Sequence, residues 1–294
     1  MPCVACAAET RCYTPHSEVQ ENMNEIIHGN HLDVLKRYPD GCFDMFLTSP
    51  PYDDLREYKG YTFKFEPLAH ELYRVLKDGG VGVWVVNDAT VNGSETLTSF
   101  KQAIYFKDVV GFNVHDTMAY CKDGLAFPNS NRYYQTFEYM FVLSKGNLKA
   151  ANLLRKITTH KNNSAARSRQ KDGSLQRIKY DVGKETRVLG NVWKYGIGNG
   201  KSTLDKIAFK HPAIFPEKLA EDHILSWSNP GDVILDPMCG SGTTCKMAAK
   251  HQRQYVGIDC SETYCELART RLERFTTQTT IFDTVSDTRE NADV

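Results

Sequence analysis

VILDPMCGSGTT, residues 233–244, opens as a short apolar strand and closes in a turn that carries two glycines. Asp236 ends the strand, and Gly240 and Gly242 form the turn ahead of the helix CKMAAKHQ. In a doubly wound sheet such a turn lets a ligand approach the backbone closely, with a helix N-terminus behind it. A plain tight connection explains a GxG pair equally well, so the next strand matters. It ends in Gly257-Ile258-Asp259, with Asp259 seventeen residues after Gly242, and sets a carboxylate where a ribose offers two hydroxyls. A nucleoside-containing cofactor is implied, and a dinucleotide is only one option.

Outward from this turn, strands and helices alternate. Upstream, PEKLAEDHILSWS predicts an amphipathic helix with Leu219, His223, Ile224 and Trp227 on one side, joined through NPGD to VILD. Downstream come the strand YVGID and a final helix, SETYCELARTRLERF. In the N-terminal half, IIHGNHLDVLKRYPDG predicts a turn and a short helix whose apolar face carries Leu32, Leu35 and Tyr38, followed by the buried strand CFDMFLT. FEPLAHELYRVLKDGG predicts a helix ended by Gly79 and Gly80, then the strand VGVWVVND. A helix over 96–109 leads to strands near FNVHDTMAYC and TFEYMFVLS. Alternation at this spacing argues for an α/β fold with a doubly wound, mainly parallel sheet. At 294 residues, 41% apolar and 24% charged, the chain can bury a full core, and one large domain with a smaller insertion fits best.

No stretch approaches the roughly 18 apolar residues of a membrane helix, and the N-terminus lacks a basic start followed by an apolar run. No membrane partner and a cytoplasmic location are therefore expected. The nine cysteines are odd in number and scattered, which predicts reduced thiols rather than a disulfide framework. Cys3, Cys6, Cys12 and His16 have a spacing able to hold zinc, but no strands of a zinc knuckle flank them. A disordered tail with no metal is the expectation there.

The net charge of zero conceals an asymmetry. Between Lys145 and Lys210 stand 16 Lys plus Arg against four acids, or +12, while the rest of the chain holds 20 against 32, or −12. This segment is rich in Asn, Ser, Thr and Gly, which suits a loop-rich insertion touching a polyanion and equally a solvated linker. Arg155, Lys156, Lys161, Arg167, Arg169 and Lys171 are its candidate phosphate contacts. Trp193 and Tyr195 have the chemistry to stack on a base, although core packing is the more frequent use of such aromatics.

A second motif lies at residues 48–60, TSPPYDDLREYKG. The buried run FDMFL must stop here, because two consecutive prolines lack backbone donors and fix φ. By itself Ser49-Pro50-Pro51-Tyr52 is a turn. Together with Asp236-Pro237-x-x-Gly240-Ser241-Gly242-Thr243-Thr244, however, it resembles the catalytic and cofactor motifs of S-adenosylmethionine-dependent DNA amino-methyltransferases. The catalytic motif comes first and the cofactor loop last, with a basic insertion between, as in the permuted beta group of restriction-modification systems. His211-Pro212-Ala213-x-Phe215-Pro216-Glu217-Lys218-Leu219 is similar to that group's motif ahead of the cofactor loop. Two positions depart from the pattern: Met238 stands where Phe is usual, and Asn30 replaces a common Asp in the HGN segment.

The resemblance implies a seven-stranded sheet in permuted order. Its parts are a tail (1–24), a catalytic half (25–144), a basic target-recognition insertion (145–210), a cofactor half (211–275) and a C-terminal tail (276–294). It implies S-adenosylmethionine over Pro237, Met238, Cys239, Gly240 and Gly242, with its ribose on Asp259, its adenine near Asn30, and its carboxylate end near Thr243 and the catalytic strand tip, Asp236 and Thr244 completing the cofactor residues. Double-stranded DNA is the implied substrate, in a nucleoid-associated setting, with a homodimer and a cognate restriction endonuclease as the further partners of this group. The Ser49 hydroxyl and the Pro50 carbonyl would accept the two N–H groups of an exocyclic amine, so that its lone pair turns toward the methyl group. Pro51 stiffens the tip, and Tyr52 would stack on a base flipped out of the duplex. Ser before Pro-Pro-Tyr goes more often with cytosine N4 than with adenine N6, which stays as the alternative. A catalytically silent DNA-binding partner is the alternative of another class. Asp53, Asp54 and Arg56 are read either as the mouth of the site or as a salt-bridged loop, and Asp88 as structural.

Overall fold

The computed structural model describes residues 23–51, 63–123, 131–157, 167–177, 185–198 and 200–290, with the backbone alone at 177 and 278–290. Cys3, Cys6, Cys12, His16, Tyr52, Asp53, Asp54, Arg56 and Lys161 lie outside the described residues. The strands are β1 (Glu25–His28), β2 (Phe43–Thr48), β3 (Leu76–Val86), β4 (Thr90–Val91), β5 (Ser94–Glu95), β6 (Asn113–Asp123), β7 (Phe137–Ser144), β8 (Arg155–Ile157), β9 (Arg167–Arg169), β10 (Leu175–Arg177), β11 (Thr186–Val188), β12 (Val192–Gly196), β13 (Val233–Asp236) and β14 (Gln254–Asp259). The α-helices are α1 (His31–Leu35), α2 (Phe65–Val75), α3 (Thr98–Tyr105), α4 (Glu217–Trp227), α5 (Thr243–Lys250) and α6 (Glu262–Glu290).

One sheet organises the chain, in the order β1-β14-β13-β2-β3-β7-β6-β12. Every neighbouring pair is parallel except the two that β7 makes with β3 and β6. The central strands read as unbroken apolar runs because both faces are covered. On one face Leu68, Ala69, Leu72 and Val75 of α2 pack with Val34, Leu35, Trp84 and Phe106. On the other, Leu219, Ala220, Ile224 and Trp227 of α4 and Met247 of α5 cover Met45, Leu47, Val83 and Ile234. Within this core Trp84 donates its indole N–H to Gln102 at 2.8 Å. Asp88 accepts from the Ser99 amide and hydroxyl at 2.8 and 2.6 Å, a structural role at the start of α3.

Four expectations are corrected. The main sheet has eight strands rather than seven, because Val192–Gly196, inside the basic segment, pairs with β6 along its edge. The aromatic pair of that strand consequently turns inward. Trp193 is buried, donates to the Gly190 carbonyl at 3.0 Å and lies 4.7 Å from the His223 ring, so it is core and not a DNA contact. Helix α2 ends at Val75 instead of at the glycines, since Leu76 already pairs with Phe43 and Gly79, at φ +81°, bends the extended chain. Finally, α6 continues to Glu290, past the tail boundary expected at 275.

Candidate active site

Strands β1, β14, β13 and β2 are neighbours and run the same way, so the segments that follow them leave the sheet along a single edge. That edge is where open α/β sheets bind ligands. The Ser49-Pro50-Pro51 tip follows β2 and the glycine turn follows β13, although they are nearly 190 residues apart in the chain. Thr48 donates its hydroxyl to Asp236 Oδ1 at 2.8 Å, and Thr244 donates to the Leu47 carbonyl at 3.2 Å. These bonds join the two strand ends directly. Burial pushes the Asp236 carboxyl up to about 6, against the Thr48 hydroxyl and the Met238 amide, whose hydrogen bonds favour its charged form.

The glycine turn is shaped by contacts that leave no room for side chains. Gly240 (φ +50°) faces His211, whose Nε2 would lie 2.8 Å from an added Cβ, and Gly242 (φ +75°) meets the Ala268 Cβ at 2.8 Å. Asp259 then ties the turn to β14: its Oδ2 accepts from the Gly240 amide at 2.9 Å and its Oδ1 from the Ser261 amide at 2.8 Å. Burial raises the Asp259 carboxyl while those two amides draw it back.

Below the turn is a buried hub. The Arg271 guanidinium, on α6 with no exposed side-chain surface, donates to Asp205 at 2.9 Å and to Glu217 at 2.8 Å. It also reaches the Ser241 carbonyl at 2.5 Å, the Ser241 hydroxyl at 3.1 Å and the Thr243 hydroxyl at 3.3 Å. The end of the basic segment, the start of α4 and the glycine turn are thus held by a single side chain.

Both motifs open on a cavity of about 680 Å³. Its lining includes Ser49, Pro50 and Pro51 from the tip, Pro237 to Ser241 and Thr243 from the turn, and Asp259. Residues 211–215 and Phe209 form a further wall, and Tyr120, Lys122 and Glu138 another. Four expected cofactor residues are placed otherwise. Asn30 caps α1 by accepting from the Leu32 amide at 2.9 Å, and its neighbour His31 lines the cavity instead. Burial lowers the His31 imidazole to about 4, so it is neutral at physiological pH. Asp236 and Thr244 are buried in the stitching between strands, and neither lines the cavity. Gly242 acts through the turn it allows. Met238, where the pattern has Phe, lines the cavity, as do Cys239 and Thr243.

The described part of the basic segment forms two ribbons, β8 with β11 and β9 with β10. Arg155, Lys156, Arg167, Arg169 and Lys171 are exposed. Lys156 stands in register with Arg187, and Arg167 with Arg177. Like charges directly opposite destabilise a two-stranded ribbon unless an anion relieves them. Arg187, Arg177, Arg271, Lys122 and Glu138 were not singled out in the sequence, where nothing marks them as partners.

The family of DNA methylases of the N6/N4 type matches residues 43–270. The chain belongs to this family. The methyltransferase is 56% identical over 241 residues, 80% of its length and 91% of the relative's, to the orphan methyltransferase M.BamHII of Bacillus amyloliquefaciens. It is 28% identical over 265 residues, 84% of its length and 82% of the relative's, to the DNA adenine methyltransferase YhdJ of Escherichia coli K12. In fold it is similar to the cytosine-N4-specific PvuII DNA methyltransferase, with a TM-score of 0.62 at 20% identity over 86% of this chain and 89% of that one. A Thermus thermophilus protein solved with S-adenosyl-L-methionine gives 0.59 at 22% identity, over 85% and 93%.

As a member of this family the methyltransferase takes its methyl group from S-adenosylmethionine, and the residues fit that donor. Each Asp259 oxygen accepts one amide, and a carboxylate has about four acceptor positions, so two remain for a ribose diol. Pro237, Met238 and neutral His31 supply apolar and aromatic surface beside it. Asp259→Ala is expected to weaken donor binding by about 1.5–3 kcal/mol, the range for a hydrogen bond to a charged group. Asp259→Asn, which keeps one oxygen for the turn, should lose less. Calorimetric titration of the donor checks this, and wild-type affinity in the alanine variant would refute the assignment.

Proposed function

We propose that this methyltransferase modifies the N4 amine of a cytosine extruded from duplex DNA. The observation that carries the reading is that Ser49-Pro50-Pro51 and the Pro237 to Ser241 turn, with Asp259, line one cavity. Such a cavity lets an amine meet a methyl donor in line, out of bulk water.

An exocyclic amine on an aromatic ring is a poor nucleophile, because its lone pair is delocalised into the ring. In this reading the Ser49 hydroxyl and the Pro50 carbonyl accept its two N–H groups, which favours a more tetrahedral nitrogen with its lone pair facing the donor. Pro51 limits how far that carbonyl can swing. When bound, S-adenosylmethionine supplies a methyl group made electrophilic by its sulfonium. Tyr52 is the expected stacking partner of the base, and extrusion costs a few kcal/mol that the stack and the pocket offset. Ser at position 49 supports cytosine over adenine. Mass analysis of nucleosides from DNA incubated with the enzyme and labelled donor tests the reading: N4-methylcytosine supports it, and N6-methyladenine alone rejects it.

The basic ribbons fit the DNA backbone in the same reading. Neutralising Lys156, Arg167, Arg169, Lys171 and Arg187 together should weaken binding to all duplex sequences. The slope of log K against log salt should flatten by about 0.9 for each phosphate that is no longer neutralised. Donor affinity should be unchanged, since the donor residues lie on other elements. A neutralised variant that kept both DNA affinity and salt slope would reduce the patch to a solvated surface.

A further inference from the structure

One part of the cavity wall serves neither motif. Tyr120 and Lys122 of β6 and Glu138 of β7 line it. Tyr120 pairs with Glu138, and the Lys122 amide donates to the Thr136 carbonyl at 2.7 Å. This end of the hairpin lies at the same sheet edge as the catalytic tip, because β3 joins them: Trp84 pairs with Thr48, and Val86 with Tyr139. The Lys122 ammonium sits 2.5 Å from a Glu138 oxygen, and Glu138 is only 8% exposed. A largely buried ion pair is seldom more stable than apolar residues of the same volume, so stability alone does not account for charges on this wall.

We infer that the Lys122 ammonium, held by Glu138, donates a hydrogen bond to the O2 carbonyl of the extruded cytosine. The inference rests on the cytosine reading above. Along its pairing edge cytosine presents an amine, the N3 acceptor and the O2 acceptor. Adenine presents an amine, the N1 acceptor and then only a C–H. With the amine fixed at Ser49 and Pro50, a donor beyond the ring nitrogen meets a carbonyl in cytosine and nothing in adenine. Lys has three donors and no acceptor, so one bond to Glu138 leaves two for a base. Glu138 is a positioning residue, since its carboxylate decides where a flexible four-carbon stem ends. A hydrogen bond to a charged group then favours cytosine by about 10- to 100-fold.

Lys122→Met, Lys122→Arg and the double variant Lys122→Met/Glu138→Gln test this on genomic DNA with labelled S-adenosylmethionine. Both methylated nucleosides are read by mass, and donor affinity by calorimetry. The double variant removes both charges together, so it leaves no carboxylate unpaired in the wall, whereas the single change does. The expected result is N4-methylcytosine formation slowed about 10- to 100-fold in Lys122→Met and no further in the double variant. Lys122→Arg should recover part of the rate, donor affinity should hold, and the residual product should shift toward N6-methyladenine. Suppose instead that the wild type makes N4-methylcytosine and the double variant makes it equally fast, or loses donor affinity in proportion to rate. The inference is then overturned while the cytosine reading stands. A wild-type product of N6-methyladenine alone overturns both.

Discussion

Ser49→Ala should lower the rate of methyl transfer by about 10²- to 10³-fold, the usual cost of removing one preorganised hydrogen-bonding group from a water-excluded site. Donor affinity should stay at the wild-type level. Ser49 lines the cavity from the tip after β2, whereas the donor residues come from the turn after β13 and from the end of β14. Only one small side chain is changed, next to Thr48, whose bond to Asp236 holds the strand ends whatever stands at 49. The loss should therefore fall on the turnover rate and leave the thermal stability alone. Single-turnover kinetics with labelled donor, run beside calorimetry, separates the two. A variant that lost donor affinity as steeply as rate would move Ser49 from the base to the donor.

The second large effect is on stability. Arg271→Met is expected to lower the unfolding free energy by about 3–5 kcal/mol, because it strips a buried ion-pair network of its cation. The guanidinium is fully buried, while Asp205 and Glu217 keep 18% and 20% of their side-chain surface and share Lys246 at 3.8 and 2.8 Å. That residual solvation and the second cation place the loss toward the lower end. Arg271→Lys should recover only part of it, since an ammonium cannot span Asp205, Glu217, the Ser241 carbonyl and the Thr243 hydroxyl with one planar fork. Donor affinity should drop as well, because Ser241 belongs to the turn that lines the cavity. Urea titration of the three proteins measures it, and an unchanged midpoint in the methionine variant would remove Arg271 from its place as the hub.

What the sequence by itself determined is what local covalent geometry demands. Pro50-Pro51 stops a strand wherever it stands, Gly240 and Gly242 permit a turn that other residues do not, and Asp259 ends a strand at a fixed spacing from them. These are constraints between near neighbours, so the α/β alternation, the two motifs and the family were legible before any contact was known. The tertiary structure alone decided which way side chains face and whom they meet. Trp193 reads as a stacking aromatic in a basic segment, yet pairing with β6, more than 70 residues earlier, turns it into the core. Asp236 and Thr244 carry a cofactor-loop pattern, but the close approach of β2 and β13 spends their hydrogen bonds on Thr48 and Leu47. The Asn30 side-chain oxygen caps α1, while its neighbour His31 lines the cavity. Arg271 looks like one more basic residue on a surface helix until Asp205 and Glu217, 66 and 54 residues away, fold against it. A side chain's role depends on distances under about 4 Å, where hydrogen bonds and ion pairs act, and chain spacing says nothing about those until the sheet order has closed them.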